Sequence, residues 1–221
     1  MRRAFMLTVT VLMLGVMMVT CPGQQEQPQR IDLPEPDTTG EMSVEEAIAQ
    51  RRSVRQFADR ELSAEQVGQL AWAAQGITDS RQGFRASPSA GATYPMELYL
   101  VTPDGVHRYL PREHAVETTK REDVRAELAA AALGQDFVGT APLDIVVAAV
   151  YQRTMQRYGD RGRRYVHMEA GHIGQNIHLQ AEALGLGSVP VGAFDDARVA
   201  ETLGLPADQE PLYIIPVGYP R

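Results

Sequence analysis

The segment QRRSVRQF, residues 50–57, concentrates cationic and hydroxyl side chains in a chain that is acidic as a whole. Arg51, Arg52, Ser53 and Arg55 fall within five consecutive positions. A guanidinium group can hold phosphate oxygens in a bidentate fork, and a hydroxyl adds a neutral donor. The segment is therefore a candidate site for a phosphorylated ligand. A solvated helix end is the open alternative, because cations offset the negative end of a helix dipole by about 0.3 to 1 kcal/mol.

The element that would position these arginines is a short helix that precedes them. Ser43 and Glu46 form a capping box in the sequence SVEE, and the apolar residues behind it recur at helical spacing. This pattern predicts a helix over residues 44–51. The arginine segment therefore lies at the C-terminal end of that helix or just beyond it.

The rest of the chain alternates between strand patterns and helix patterns. MELYLVT and GVHRYL, separated by PDG, predict a β-hairpin, and the apolar run PLDIVVAAV predicts a buried central strand. PLYIIPVG predicts the last strand, and further helices are predicted to begin at the capping box of residues 63–66 and to cover about residues 122–133, 163–184 and 197–203. Because a hairpin is present among the alternating elements, we predict an α+β fold with a mixed sheet.

Three other kinds of chemistry are not indicated. His167, His172 and His178 share a predicted helix, but five residues of separation put the first two about 140° apart, so they cannot face one metal ion. No serine lies in a G-x-S-x-G motif. GLGSVPVG follows a helix instead of joining a strand to a helix, so it is not a phosphate loop or a dinucleotide motif. We therefore expect no metal and no nucleophilic hydrolysis.

Length and composition favour one globular domain. The 221 residues carry a formal charge of -7 and are 44% hydrophobic, which suits a single domain with a substantial core. We expect this domain to cover residues 42–221. The negative charge argues against broad nucleic-acid binding, because affinity for a phosphate backbone depends on a basic face.

Residues 1–21 predict an export signal. Arg2 and Arg3 precede an apolar run, and Cys21, the only cysteine, stands where a lipoprotein signal places its acylated residue. We expect a periplasmic or cell-envelope protein with a lipid anchor at Cys21, while an uncleaved membrane anchor and an incidental cysteine stay open as alternatives. Residues 22–41 are rich in proline, glutamine and acids and predict an extended tether.

Four ordered blocks of sequence carry a resemblance to a known family. They are EEAIAQRRSVRQF, SPSAGATYPMELYLV, YVHMEAGHIGQNIHLQAEALGLGSVPVGAFDD and PLYIIPVGYP. Together they resemble the nitroreductase-like FMN-dependent family, and more narrowly its SagB-type dehydrogenase branch. The resemblance implies a mixed sheet flanked by helices and an interlocked homodimer that builds two FMN sites at its interface.

The resemblance also assigns roles to residues. It implies that Arg51 and Ser53 hold the FMN phosphate with Arg52 alongside, while Arg55 reaches the ribityl chain or the pyrimidine edge. A small-residue loop is implied to contact the flavin of the partner subunit and consists of Pro88, Ser89, Ala90, Gly91 and Ala92. The stretch implied to lie against the isoalloxazine ring consists of Pro190, Val191, Gly192 and Ala193, with a backbone N–H of Gly192 or Ala193 directed to flavin N5.

The chain departs from the family pattern at two places. It ends at PVGYPR, which leaves Arg221 as the substitute for the cationic tail that contacts the phosphate in typical nitroreductases. Azoline-oxidising members of the SagB-type branch are associated with a Lys–Tyr pair, whereas the single lysine here, Lys120, is followed by Arg121. The second departure argues against the oxidation of peptide azolines.

We therefore expect an FMN-dependent oxidoreductase with a ping-pong cycle, in which a small-molecule donor and then a small-molecule acceptor react through flavin N5. The flavin performs the redox chemistry in this family, so no side-chain acid or base is required. Tyr94, Tyr158 and His167 are further candidates to line the pocket. The arginine-rich segment at residues 156–165 fits either an anionic substrate or a solvated helix start. An exported flavin-binding lipoprotein without turnover is the alternative function.

Overall fold

The protein is built in three layers, with helices packed on both faces of a central sheet. The computed structural model describes residues 29–221. The predicted export signal, Cys21 and the first part of the predicted tether lie outside the described residues. Within the described part, no helix is long and apolar enough to cross a membrane.

Seven strands form the central sheet, and two short strands form a separate hairpin. In chain order the strands are β1 Arg30–Asp32, β2 Ile77–Asp79, β3 Phe84–Arg85, β4 Met96–Thr102, β5 Gly105–Leu110, β6 Ala115–Lys120, β7 Leu143–Ala149, β8 Gly187–Ser188 and β9 Glu210–Gly218. The central sheet has the order β1-β6-β5-β4-β7-β9-β8, and β2 pairs with β3. The predicted hairpin, the buried central strand and the last strand are confirmed as β4–β5, β7 and β9.

All neighbouring strands of the described chain pair in antiparallel fashion. The α+β class is confirmed. A mixed sheet needs at least one parallel pair. In the described chain the parallel pairing is one isolated bridge, between Ser53 and Ser188. This bridge attaches the arginine segment to β8 at the edge of the sheet.

The helices of the described chain are α1 Val44–Gln50, α2 Ala64–Gln75, α3 Arg125–Ala131, α4 Asp136–Thr140, α5 Tyr151–Tyr158, α6 Arg161–Ala183 and α7 Asp196–Leu203, with a 3-10 turn at Ala90–Ala92. Both capping boxes form, at the starts of α1 and α2, as the sequence predicts. The helix predicted over residues 122–133 is shorter than expected, and the separate helix α4 follows it.

Several elements were not predicted from the sequence, and one of them moves a boundary. β1 lies inside the predicted tether and pairs with β6, and the Leu33 N–H donates to the His114 carbonyl at 3.0 Å. The ordered fold therefore begins before the predicted boundary at Met42. β1 is exposed along its length, so backbone hydrogen bonds hold it and no apolar pattern marks it. The other elements that were not predicted are β2, β3, β6, β8, α4 and α5.

The sheet is buried on both faces. β7 is buried at all of its positions, and its side chains alternate between two cores, as the period of a strand requires. On one face α2 and α6 pack against Leu143, Ile145 and Val147. On the other face α3, α4 and α7 pack against Val146 and Ala148. The long helix α6 thus crosses one face of the sheet and carries His178, which contacts Arg51, and His172, which contacts Pro88.

Candidate functional site

The Arg51 side chain is held by helix α6 and strand β8. Arg51 is the C-cap residue of α1, and its Nη1 lies 2.9 Å from Nε2 of His178. Nδ1 of the same ring lies 2.7 Å from Oγ of Ser188. Because a guanidinium group can only donate, Nε2 accepts from Arg51, and the neutral ring carries its proton on Nδ1 and donates it to Ser188. These two hydrogen bonds fix the orientation of the Arg51 guanidinium group.

The environment of His178 keeps the ring neutral. The side chain is almost completely buried, with 5% exposure. Burial lowers the pKa of the His178 imidazole to about 4, and the charge of Arg51 acts in the same direction. Arg51 itself has no carboxylate within ion-pairing distance among residues 29–221. The guanidinium group of Arg51 is therefore held in one orientation, and no carboxylate of the described chain neutralises its charge.

Ser53 lies next to Ser188 because two backbone segments approach closely. The N–H of Val54 donates to the Ser188 carbonyl at 3.0 Å. A Cβ added at Gly187 would lie 2.6 Å from Cβ of Val54, so the approach requires glycine. The Ser53 side chain is exposed and its hydroxyl makes no hydrogen bond within the described chain. Arg51 and Ser53 therefore offer a cation and a free hydroxyl beside β8.

The other two arginines of the segment point elsewhere. Nη1 of Arg52 donates to the carbonyls of Ala49, Gln50 and Arg51 at 3.0, 3.2 and 2.8 Å. Arg52 thus caps the end of α1, which is the helix-end role left open as the alternative. The guanidinium of Arg55 is exposed and lies 5.9 Å from the ring centroid of Phe137 on α4. The segment therefore runs from β8 at Arg51 towards α4 at Arg55.

The loop that follows β8 presents free backbone donors near the same segment. Val191 is buried and exchanges two backbone hydrogen bonds with Ile214, at 2.8 and 3.0 Å. Gly192 and Ala193 are exposed, and their N–H groups have no acceptor among residues 29–221. The Ala193 carbonyl accepts from Nε2 of Gln135 at 2.9 Å, just before α4. The loop is thus anchored on both sides while its two N–H groups stay available to a ligand.

The C-terminus runs alongside the arginine segment. Phe57 and Pro220 form an antiparallel bridge, and the N–H of Arg221 donates to the Gln56 carbonyl at 3.1 Å. The side chain of Arg221 is exposed. The structure therefore brings the backbone of Arg221 next to the residue that follows Arg55.

The small-residue loop contacts a different part of α6 from the arginine segment. Nδ1 of His172 is 3.3 Å from the Pro88 carbonyl, and Nη1 of Arg157 on α5 donates to the Gly91 carbonyl at 3.1 Å. His172 precedes His178 by six residues, which is about 9 Å along the helix axis. No hydrogen bond joins this loop to the arginine segment within the described chain. A single chain thus carries two separate groups of the predicted flavin-binding residues.

The small-residue loop and its next residues have unusual backbone angles. Gly91, Ala92 and Tyr94 have φ values of +61°, +52° and +44°. Such angles are uncommon in residues other than glycine and cost of the order of 1 kcal/mol or more each. Tyr94 is directed inward, because its hydroxyl accepts from the Arg85 N–H at 3.2 Å and its ring lies 4.6 Å from the Arg85 guanidinium. The packing around the loop holds these conformations in place.

The three further pocket candidates have different contacts. The hydroxyl of Tyr158 would be 2.6 Å from a Cβ added at Gly91, so Tyr158 covers the loop directly. The N–H of Tyr94 donates to the Ser89 hydroxyl of the loop at 2.9 Å. Nε2 of His167 lies 2.6 Å from the hydroxyl of Tyr151 on α5. Tyr94 and Tyr158 therefore contact the small-residue loop, whereas the hydrogen bond of His167 goes to α5.

A buried carboxyl lies beneath the small-residue loop. Glu169 on α6 is 2% exposed, and its Oε1 has no hydrogen-bond partner within residues 29–221; Nε2 of the fully buried Gln75 has none there either. Burial raises the pKa of the Glu169 carboxyl to about 7, while the Ser89 hydroxyl, the Gln75 amide and the charge of Arg85 act in the opposite direction. The charge of Glu169 therefore changes near neutral pH, next to a residue of the loop.

The sequence did not identify the residues that hold the arginine segment. It suggested His178 only as one of three histidines to be tested against a metal site, and Ser188 only as part of a glycine-rich stretch. The available signal for His178 was its helical spacing with the apolar residues Ile177 and Ala181, which places it on the buried side of α6. Within residues 29–221 no group of three or more His, Cys, Asp or Glu side chains is arranged to hold a metal ion.

Comparisons with known sequences connect this arrangement to a family. A model described as the nitroreductase family matches residues 48–219. A nitroreductase homologue of Methanocaldococcus jannaschii is 45% identical over 184 residues, which cover 80% of this chain and 91% of that protein. The microcin B17-processing protein McbC of Escherichia coli is 27% identical over 132 residues, 55% of this chain and 48% of McbC. The match to McbC thus spans about half of that protein.

Solved structures have the same fold. A nitroreductase homologue from Ralstonia eutropha superposes with a TM-score of 0.80 at 33% identity, over 90% of this chain and 92% of that one. The NADPH:FMN oxidoreductase from Vibrio harveyi in complex with NAD+ superposes with a TM-score of 0.60 at 25% identity, over 80% of this chain and 68% of that one.

Proposed function

The chain belongs to the nitroreductase family of oxidoreductases, and we propose that it binds FMN and passes electrons from a donor to an acceptor in a ping-pong cycle. The similarity to McbC supports the assignment of this chain to the SagB-type branch of the family. The name of the Vibrio harveyi enzyme, an NADPH:FMN oxidoreductase, supports FMN as the cofactor.

The observation that carries the proposal is the pair of free N–H groups at Gly192 and Ala193 beside a segment with an oriented cation. A flavin nitrogen is an acceptor that such N–H groups would satisfy, and an FMN phosphate is the anion that Arg51 and Ser53 would hold. The order along the segment also fits, because Arg51 lies at β8 and Arg55 lies towards α4, where Gln135 holds Ala193. The residues present therefore fit the cofactor.

The protein has three tasks in the proposed mechanism. Arg51, oriented through His178 and Ser188, compensates the phosphate charge, and the Ser53 hydroxyl donates to a phosphate oxygen. Arg55 supplies positive charge at the other end of the segment. The N–H groups of the loop after β8 position the ring that they contact. FMN, when bound, supplies the two-electron chemistry at N5, so no side chain of this chain has to form a covalent bond with the substrate.

We propose that the functional unit is a homodimer. The small-residue loop contacts α6 at His172 and the arginine segment contacts it at His178. A second copy of the chain could bring the loop of one subunit to the arginine segment of the other. Exposed apolar residues on α1 and α6 would then be covered, among them Val44, Ile48 and Met168, which are 65%, 56% and 51% exposed. The expected result of sedimentation analysis is a dimer.

We do not propose that this chain oxidises peptide azolines. Lys120 lies on β6, five positions from β8 in the order of the sheet. Its Nζ donates to the carbonyl of Thr202 on α7 at 2.6 Å, so this lysine is bound to a helix end. We propose small-molecule donors and acceptors instead of peptide azolines.

Export and lipid attachment at Cys21 are a separate proposal, which the charged and apolar pattern of residues 1–21 supports. Metabolic labelling with a fatty acid tests it. The wild-type chain should be labelled and Cys21→Ser should not, while equal labelling of the two would contradict lipid attachment at this residue.

Turnover is tested by following the flavin absorbance of the purified full chain in two half-reactions. We expect anaerobic addition of NADPH or NADH to bleach the flavin bands, and a quinone or a nitroaromatic compound to restore them. A flavin that binds to the chain but is not reduced by either nicotinamide would contradict nicotinamide-dependent turnover and would favour a different donor or a binding function. After photoreduction of the same sample, reoxidation by the quinone or the nitroaromatic compound would favour a different donor, whereas a reduced flavin that neither compound reoxidises would favour a binding function.

A further inference from the structure

Arginine and tyrosine side chains alternate on the outer side of the small-residue loop. The Arg157 guanidinium lies 5.5 Å from the ring centroid of Tyr158, and the rings of Tyr158 and Tyr165 meet edge to face at 5.1 Å. The guanidinium of Arg161 lies 5.9 Å from the Tyr165 ring, and its Nε donates to the Tyr165 hydroxyl at 3.0 Å. We call these four residues the arginine–tyrosine cluster. It joins the C-terminal end of α5 to the first turns of α6.

The arginine–tyrosine cluster touches the small-residue loop at one point. Arg157 donates to the Gly91 carbonyl, and the Tyr158 hydroxyl occupies the space that a side chain at position 91 would need. A ligand that contacts the cluster therefore also lies near the loop. The inference below rests on the proposed function, because it takes this loop to face a bound flavin.

The positive charge of this region is not neutralised by the protein. Arg153 forms an ion pair with Glu97 at 2.6 Å. In contrast, the guanidinium groups of four nearby arginines have no carboxylate within ion-pairing distance among residues 29–221: Arg157, Arg161, Arg163 and Arg164. Their contacts are a carbonyl, a hydroxyl and aromatic rings. All four are exposed, on a chain whose net charge is -7.

We infer that the arginine–tyrosine cluster binds the negatively charged group of a planar aromatic substrate, whose reactive part then lies at the small-residue loop. Guanidinium groups bind carboxylates through paired hydrogen bonds. Tyrosine rings and guanidinium planes stack on a flat ligand. The substrate class is therefore an anionic aromatic electron acceptor.

The test compares two probes that differ in charge and hardly in shape, 4-nitrobenzoate and 4-nitrobenzamide. Each is titrated calorimetrically into the full chain, with and without added FMN. We expect the benzoate to bind at least about tenfold more tightly, because a hydrogen bond to a charged group is worth a factor of this order. The preference should decrease as salt is raised, since screening weakens exposed charge pairs.

Substitutions of Arg161 test whether the arginine–tyrosine cluster causes the preference for 4-nitrobenzoate. Arg161→Gln should reduce the preference for the benzoate about tenfold, and Arg161→Lys should keep part of it because the charge is retained. Arg30→Gln is the control, since Arg30 is also exposed but lies on the edge strand β1, where it pairs with Asp32. It should leave both affinities unchanged.

Equal affinities for the two probes would overturn the inference, and so would a preference that survives the double change Arg157→Gln and Arg161→Gln. These outcomes are separate from the proposed function. A chain that shows flavin bands but no preference would contradict only the anion site. A chain that prefers the benzoate but binds no FMN would support the anion site and contradict the proposed cofactor.

Discussion

Nη1 of Arg51 lies 2.9 Å from Nε2 of His178, and this contact connects the end of the first helix to the core of the protein. The histidine is neutral and its other nitrogen donates to Ser188. The donor and the acceptor are therefore known for both hydrogen bonds, Arg51 to His178 and His178 to Ser188. A side chain as flexible as arginine loses considerable freedom when it is ordered. Here that ordering takes place before any ligand binds, and preorganisation of this kind increases affinity.

Replacing His178 should weaken the binding of FMN without removing a residue that contacts it. In His178→Leu, Arg51 loses its acceptor, and we expect the Kd for FMN to rise about tenfold. In His178→Gln, the side-chain oxygen can still accept from Arg51, so part of the affinity should return. Fluorescence titration of FMN measures all three proteins. Equal Kd values for wild type and His178→Leu would contradict the positioning role.

Glu169 should make the flavin-free protein less stable as the pH rises. The pKa of its carboxyl is about 7 in the folded chain, against an ordinary value of 4.5. Between these values the folded state holds a proton that the unfolded state releases, so the free energy of unfolding falls as the pH rises through this window and levels off above it. The expected loss is about 3 kcal/mol.

Urea unfolding of the wild type and of Glu169→Gln, between pH 4.5 and 8, measures this contribution. The glutamine cannot ionise, so the difference in unfolding free energy between the two proteins should shift by that amount across the window. A difference that stays constant over this range would mean that Glu169 ionises in the folded chain as it does in water.

Gly91→Ala should destabilise the small-residue loop. The glycine has a φ of +61°, and an added Cβ would lie 2.6 Å from the Tyr158 hydroxyl and 2.8 Å from Nη1 of Arg157. We expect a loss of about 1 to 3 kcal/mol in unfolding free energy. Gly171→Ala is the matched control, because Gly171 lies within α6 with open space around it. It should stabilise the helix by about 0.5 to 1 kcal/mol. Equal effects of the two changes would contradict the role assigned to Gly91.

Local sequence patterns predicted the elements whose signals are contained within a few residues. The capping boxes at Ser43 and Ser63 fix the starts of α1 and α2, because each satisfies backbone donors of its own first turn. The turn PDG predicts the β4–β5 hairpin for the same reason. β1 lacks such a signal, because only its pairing with β6, about 85 residues later, makes it a strand.

The candidate site could be predicted only partly from the sequence, because neighbouring residues of the same type have different structural roles. Arg51 and Arg52 are indistinguishable in the sequence, yet one is oriented by His178 and the other caps α1. The position of the tertiary partner decides between them, and His178 lies more than 120 residues away. Arg157 and Glu169 are further examples, since their importance depends on contact with the small-residue loop.

The absorption spectrum of the purified full chain, recorded beside that of the double variant Arg51→Ala with Ser53→Ala, is the most direct test of the proposed FMN site. We expect flavin bands in the wild type and their loss, or a decrease in FMN affinity of about a hundredfold, in the double variant. Arg52→Ala should keep the bands, because Arg52 caps a helix. A wild-type chain that shows no flavin bands even after FMN is added would contradict FMN binding at this site.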